Sequence, residues 1–550
     1  MLIINKLKII IKNNYVIILI LLLAFVLRIW GVAYGLPGLF VGDEKSIVGG
    51  ALKMMYQKNI FPVLEPNVFR LLYYPVLVPW ILLIFFVPWA IFVYFSGNFS
   101  SLASLRDYFI LNPENFFLIG RIVNVFFAVA IVFLMYKVGQ KIFSKRIGLF
   151  SALLYAVSWL PIHQGHFVKH WNVGAFFGLL VLYLAFSILK SPSKRNYILA
   201  GLMVGLAGFA DYIFAIYGLI LAAIHFLFLR NSWRVKFTDR RFWIFVLLSI
   251  SIFILSVAAY PQEFYRMALG EDSTATAAKT LAGFWQVIKE IILTLYHLET
   301  AVLVLSLIGG FILFFKNRKL FFLLIFIPLI SPFLYYFLLH FEARYVLLFL
   351  PFLVIIAGYG LDQAVNFLKI KSGFWLFIIC LASVLLPLKN AVIFDIILTQ
   401  TDTRILAKNW IENNLPYGSK IVVNSWEFDL MKNTECLYEQ QQFRNLSLRS
   451  QDYVMWEKND PESYCVWPLD LILDLPPNIL EYQYYIIDSY TARRTSALGK
   501  NLEPRLKLVK EFKGSPYAIV ETWPDNFVHQ ILKNRQAGPD VQIYKLNTIK

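Results

Sequence analysis

Asp43 and Glu44 stand side by side in Gly42-Asp43-Glu44, a few residues beyond a long apolar run at 15–34. Adjacent carboxylates at a membrane surface are costly unless they are solvated, paired or used. An ionised one within reach of a substrate hydroxyl can act as a general base. On position alone, a solvated turn after Gly42 fits equally well. The second cluster is His163-Gln-Gly-His166-Phe-Val-Lys169-His170-Trp171-Asn172, which holds three of the seven histidines. Their i, i+3, i+7 spacing has no Cys or Asp beside it, so a divalent metal is weakly supported and no cofactor is required. A polar, partly cationic rim fits better, with a plain interfacial turn as the bland alternative. The third cluster is His340, Glu342, Arg344 and Tyr345. Here Arg344 reads as an anion ligand or a snorkelling anchor, and Tyr345 suits an aromatic belt.

The elements that must position these residues are membrane spans. The chain has 550 residues, 59% hydrophobic and 15% charged. Soluble domains carry about 25% charge, and disordered chains lack such apolar content. The net charge of +17 sits beside the apolar runs, so topology explains it better than nucleic acid does. Runs of spanning length lie at 15–34, 116–136, 147–162, 172–189, 197–211, 212–229, 242–260, 298–315, 320–339, 345–362 and 373–389. The first follows Lys6, Lys8 and Lys12 and has no cleavage site after it, so an anchor is expected.

The stretch 72–95 is ambiguous. Counting it as a span would put the basic turn Lys137, Lys141, Lys145, Arg146 and most later ones outside. It is therefore expected to lie on or dip into the outer face, with Pro75, Pro79 and Pro88 breaking its backbone ladder. Eleven spans follow, with a cytoplasmic N-terminus and an external C-terminus. The segment 197–229 reads as two short spans or one bent helix, with Gly201, Gly205 and Gly208 permitting close packing. Asp211 falls at an outer end, and an external 261–297 with Glu263, Glu271 and Asp272 would be long enough for a lid. The expected fold class is thus a polytopic α-helical membrane protein, residues 1–390, with a small soluble α/β domain outside, residues 391–550. In that domain 402–414 reads as a helix, and Lys420–Val423, Tyr484–Ile487 and Val541–Tyr544 read as strands. Cys436 and Cys465 share an oxidising compartment, with their pairing open; Cys380 lies in a span.

Carboxylates and cations gathered above a bilayer suit a membrane-anchored substrate such as a polyprenyl-phosphate sugar. Transfer to a hydroxyl needs one base for the acceptor proton and one cation for the departing phosphate. No acid is needed opposite, because phosphate is already a good leaving group.

Several motifs occur in order: GDE in the first external loop, Leu72-Tyr73-Tyr74-Pro75, Arg121-Ile-Val-Asn, KIFSKRIG, HFVKHWN, EARYVLLFLPFLVIIAGYG and DTRILAKNWIENNLPYG. This set resembles the GT-C membrane glycosyltransferases, especially protein O-mannosyltransferase-like and aminoarabinose-transferase-like enzymes. The resemblance implies an inverting transferase with a polyprenyl-phosphate sugar donor in the cell membrane. Its acceptor would be a glycan, lipid or protein. It implies Asp43 as base with Glu44 orienting it or the acceptor, and Arg344, with Lys169 and His166, at the donor phosphate. Tyr74, His170, Asn172 and Tyr345 would form the acceptor and cavity rim. One departure is the lack of an acidic residue at Asn172, Trp171 or His170, where many relatives carry one. The readings from other classes are a lipid-linked-glycan flippase or transporter and a non-catalytic lipid-binding relative. Transport would need charges near the midplane and a repeat; no repeat is evident, and Asp211 at the centre of one long helix would favour it.

Overall fold

The computed structural model describes residues 2–269, 281–338, 341–369, 372–425, 428, 430–441, 461–469, 475–476, 478–490, 506–515, 533 and 536–547. His340, Glu271 and Asp272 lie outside them. The apolar runs are mostly helical: α1 (Leu2–Ile29), α2 (Gly42–Gln57), α3 (Leu77–Ser96), α4 (Leu102–Leu111), α5 (Glu114–Ile142), α6 (Lys145–Val157), α7 (Trp159–Gly165), α8 (His170–Lys190) and α9 (Lys194–Ala210). There follow α10 (Gly218–Ala223), α11 (Trp233–Phe237), α12 (Arg240–Ala259), α13 (Pro261–Leu269), α14 (Leu281–Leu298), α15 (Thr300–Lys316), α16 (Arg318–Leu338), α17 (Leu350–Phe367) and α18 (Gly373–Leu398). Among the described residues seven helices are long and apolar enough to cross a membrane, or nine if each bent pair is one span. Asn14–Ile29 and Tyr212–Phe228 are apolar but shorter, which accounts for part of the difference from eleven. This is a polytopic helical membrane protein.

The prolines act differently from expectation in 72–95. Pro79 falls in the first turn of α3, where its missing N–H leaves no helical bond unmade, and Pro88 costs only one interior bond. The helix therefore continues for 20 residues, about 30 Å, which is a spanning length. Pro161 does break its run. In a continuous helix its ring would meet the carbonyl of Val157, and the chain instead turns at Ser158, bending α6 and α7 by 60°. A second bend of 112° separates α14 from α15 at Glu299. Glu299 Oε1 accepts the Leu160 N–H of α7 at 2.9 Å, so one carboxylate serves both bends.

The segment 197–229 is broken at Asp211, which is extended (φ −160°) and caps a short 3-10 turn through Ile213 N–H (3.1 Å). It is not one long helix, so Asp211 is at a break and not mid-helix. Small residues set helix spacing as the sequence implied: a Cβ on Gly201 would come 2.8 Å from the Phe245 carbonyl of α12. The same holds at the α15–α17 crossing, where a Cβ on Gly360 would meet the Leu305 carbonyl at 2.3 Å. Arg121 and Lys141 lie twenty residues apart on α5, so the basic turn ending in Arg146 is about 30 Å of helix from the Arg121 level. Arg146 there pairs with Asp362 of α17 (2.5 Å).

Beyond α18 the chain forms α19 (Thr403–Asn414) and α20 (Thr434–Gln441) and a five-stranded sheet. Its strands are β1 (Lys420–Val423), β2 (Cys465–Pro468), β3 (Tyr484–Asp488), β4 (Leu506–Phe512) and β5 (Val541–Leu546), in the order β2-β1-β3-β5-β4. Strand β1 runs parallel to β2 and β3, while β5 is antiparallel to β3 and β4. Ile421 and Val423 pack with Ala407 and Ile411 of α19, the alternation expected of a half-covered sheet. The three expected strands are present. β2 is too short to read beside Pro468, and most of β4 is exposed. Cys436 and Cys465 form a disulfide that ties α20 to β2, and Cys380 is free and half-buried.

Replacing Gly360 with Val should force α15 and α17 apart and cost about 1–3 kcal/mol. Thermal unfolding in detergent reads this directly, and an unchanged Tm would contradict the close crossing.

Candidate active site

Consecutive helical residues point about 100° apart, so Asp43 and Glu44 in the first turn of α2 cannot share partners. Glu44 turns inward and is fully buried. Its Oε1 accepts Arg121 Nε (2.9 Å) and the Val168 N–H (2.7 Å), and its Oε2 accepts the other Arg121 fork at 2.7 Å. Arg121 also donates to the carbonyls of Val32 (2.8 Å) and Tyr34 (2.7 Å). None of these partners is shared with Asp43, so the expected orienting role of Glu44 gives way to a structural pairing. The sequence carried a signal for it, in the arginine that opens the 116–136 run.

Asp43 faces the cations. Its Oδ2 lies 2.5 Å from Lys169 Nζ and 3.0 Å from Arg344, and the Tyr74 hydroxyl lies beside the carboxylate. Lys169 is the extended residue before α8, and Arg344 sits on the 3-10 turn Ala343–Leu348 before α17. Arg344 also pairs with Glu342 (2.9 Å), while its buried Nε has no partner. Burial pushes the Asp43 carboxyl up, but the charges of Lys169 and Arg344, the hydrogen bond from Lys169 and the neighbouring Tyr74 hydroxyl outweigh it. The net effect holds the group well below the usual carboxylate range. Burial and the Asp43 charge push the Tyr74 hydroxyl well above its ordinary value, so it stays a donor.

Beside this cluster Tyr74 stacks on His170 at 4.3 Å between ring centroids, and His170 Nε2 lies 2.9 Å from Asp211 Oδ2. Tyr345 packs on Trp171 (5.3 Å). The structure therefore brings Asp43, Lys169, Arg344, Tyr74 and His170 together from four separate parts of the chain. Asp211 completes the group. It was read from the sequence only as a span-end acid.

The remaining expected residues go elsewhere, because the loop 163–171 is buried throughout and is not a surface rim. His163 stacks on Trp159 (4.9 Å). His166 faces Asp395 of α18 (3.3 Å) and the carbonyls of Trp30 (3.0 Å) and Ile162 (2.9 Å), so it is not at the Asp43 cluster. Asn172 donates to Asn124 Oδ1 (3.2 Å) and the Gln164 carbonyl (3.0 Å), bracing the loop from inside. Glu263 pairs with Arg266 on α13. Asp395, Arg28 and Glu299 form a buried polar layer beneath the site that sequence reasoning missed. Their signal was charge at helix positions flanked by apolar residues.

The three clustered histidines point to three different partners, and among the described residues no group of three or more His, Cys, Asp or Glu is placed for a metal ion. Asp43 is already flanked by two cations, a donor set that does not fit a divalent metal.

Fold and site together define a membrane-embedded protein with a carboxylate held between two cations at one end of a helical bundle. Residues 109–258, from the end of α4 nearly to the end of α12, match the family model of dolichyl-phosphate-mannose-protein mannosyltransferase. The chain thus resembles the GT-C membrane glycosyltransferases, as its ordered motifs imply. The matched segment holds Arg121, Lys169, His170 and Asp211; Asp43 and Arg344 lie outside it. No curated protein sequence matches. Among solved structures, ArnT from Cupriavidus metallidurans bound to undecaprenyl phosphate is 11% identical at TM-score 0.48, covering 97% of this chain and 98% of that one. The oligosaccharyltransferase of Archaeoglobus fulgidus in the apo form is 11% identical at TM-score 0.49, covering 87% and 70%. At that identity and score neither likeness assigns a substrate or a residue's role.

Two measurements check this geometry. Glu44→Ala strands the buried Arg121 charge and should cost about 3–5 kcal/mol, most of it recovered in Glu44→Ala/Arg121→Met. Additive losses in the double variant would contradict a paired unit. The Asp43 carboxyl is held low, so its ion pairs stabilise fully above the unfolded-state value near pH 4 and are lost as the pH falls from there. The Tm gap between wild type and Asp43→Asn should therefore be steady above about pH 5 and close below it. A gap that instead widens in acid would contradict the paired carboxylate.

Proposed function

We propose that this protein is an inverting glycosyltransferase that moves a hexose or pentose from a polyprenyl-phosphate donor to an acceptor hydroxyl at the outer membrane face. The observation that carries the reading is the Asp43 carboxylate held between Lys169 and Arg344, the latter with a buried Nε still lacking a partner. A phosphate at headgroup level is the anion those cations suit. Arg344 and Lys169 would turn from Asp43 to the donor phosphate, so that donor binding restores the carboxylate's basicity. Asp43 then takes the acceptor hydroxyl proton as the new C–O bond forms at the anomeric carbon. The anomeric C–O bond to phosphate breaks on the opposite face, and polyprenyl phosphate leaves with its charge held by the two cations. Glu44 serves by fixing α2, and His166 is no longer a phosphate ligand in this reading.

If α3 is not a crossing, the basic turn 137–146, about 30 Å along α5 from Arg121, supports a cytoplasmic N-terminus with the site outside. On that placement the C-terminal module, 391–550, is extracytoplasmic and selects the glycan, lipid or protein acceptor. Tyr34 OH donates to Asp402 (2.7 Å), which ties that module to the loop leading into α2.

The test is binding and turnover of polyprenyl-phosphate sugars by purified protein. Asp43→Asn should lower sugar release by about 10²–10⁴-fold. The same variant should bind sugar-free polyprenyl phosphate more tightly, because the competing carboxylate charge is gone. Arg344→Ala should weaken that binding by about 10- to 100-fold. Full turnover in Asp43→Asn would remove the base assignment, and unchanged phosphate binding in Arg344→Ala would remove the phosphate site.

A further inference from the structure

Asp211 is held in place twice. Its Oδ1 accepts the Ile213 N–H (3.1 Å), and its Oδ2 faces His170 Nε2 (2.9 Å). A carboxylate only accepts, so Nε2 carries a proton, and in the neutral imidazole Nδ1 then carries the lone pair. That Nδ1 is buried and has no hydrogen-bond partner. His170 is 3% exposed. A buried acceptor without a partner costs free energy, and the cost is retained where a ligand supplies the missing donor.

The surroundings say what kind of donor. The His170 ring lies under Tyr74, whose hydroxyl is next to Asp43. Tyr74 therefore separates the two carboxylates: Asp43 on one side, Asp211 acting through His170 on the other. A Tyr74 that moves to let a hydroxyl approach Asp43 uncovers the His170 ring in the same movement. The aromatic wall of Tyr74, His170 and Trp171 also suits the apolar face of a sugar ring.

We propose that His170 and Asp211 form a hydroxyl-binding subsite in which His170 Nδ1 accepts a hydrogen bond from a sugar or alcohol hydroxyl of one substrate. The inference rests on the transferase reading above, and it adds a second polar wall to the site. The hydroxyl comes from the donor sugar or from the acceptor; the chemistry is the same and the measurements separate them.

His170→Gln keeps an amide donor for Asp211 and removes the acceptor at Nδ1. Asp211→Asn keeps the cap on Ile213 and presents an amide donor to Nε2, which moves the imidazole proton to Nδ1 and turns it from acceptor to donor. The probes are sugar-free polyprenyl phosphate and a panel of polyprenyl-phosphate hexoses and pentoses, with water as the smallest acceptor. Both variants should bind sugar-free polyprenyl phosphate as wild type does. If the donor sugar supplies the hydroxyl, the Kd of the sugar-bearing donor rises by about 10-fold. If the acceptor supplies it, that Kd holds and kcat for hydrolysis falls by a similar factor. The proposal is overturned if neither quantity moves in either variant, or if affinity for sugar-free polyprenyl phosphate falls in step. A wild type that binds no polyprenyl phosphate would instead overturn the transferase reading, and the subsite with it.

Discussion

The site depends on one buried ion pair. Arg121 and Glu44 are both sealed from solvent, and their exchange of two hydrogen bonds is the geometry a guanidinium and a carboxylate favour most. A buried pair gains little over a well-packed apolar one, so its presence is not explained by stability. What it does is join the loop after α1, α2, α5 and the segment before α8 through hydrogen bonds of fixed direction. Arg121 takes the carbonyls of Val32 and Tyr34 from the loop after α1, and Glu44 takes the Val168 N–H from the strand-like segment before α8. Asp43 precedes Glu44 by one residue and Lys169 follows Val168 by one. Fixing Glu44 against Val168 therefore places Asp43 against Lys169 without any further device.

The two neighbouring acids illustrate what a sequence can and cannot state. The pair Asp43-Glu44 was legible as chemistry because adjacent carboxylates at a membrane surface need a reason. Which of them works was not, since that depends on a helix phase and on an arginine 77 residues away. The ordered helices were legible from apolar run length, and the three sheet strands from β-branched and aromatic clusters. The breaks were harder. Pro79 and Pro88 looked like breakers and are absorbed, because one sits in a first turn and the other costs a single bond. Pro161 looked unremarkable inside 147–162 and is the one that bends its span. Position within the helix decides, and run length does not carry it.

The buried layer of Arg28, His166, Asp395 and Glu299 follows from those bends. Breaking a helix in an apolar interior frees backbone N–H groups that no water reaches. Glu299 satisfies one of them at Leu160, and Arg28 satisfies carbonyls at Ala24 and Ala156 (3.0 and 2.9 Å). Two of these buried charges, Glu299 and Arg28, thus have backbone to serve. His166, once its neighbours are seen, belongs to this layer and not to the anion site, although three residues later the same loop delivers Lys169.

An empty site with a bare carboxylate beside two bare cations would be poorly solvated at a membrane surface, and pairing them is the cheaper state. The same pairing makes the carboxylate a weak base. Only an anion that competes for the cations can reverse this, and a phosphate competes well because it offers several acceptor oxygens to a guanidinium fork and an ammonium. A neutral alcohol arriving alone cannot. On the transferase reading, this favours donor before acceptor on electrostatic grounds. Tyr74 extends this logic away from the phosphate. Its hydroxyl is next to Asp43 and its ring is stacked on His170, so it stands between the two carboxylates.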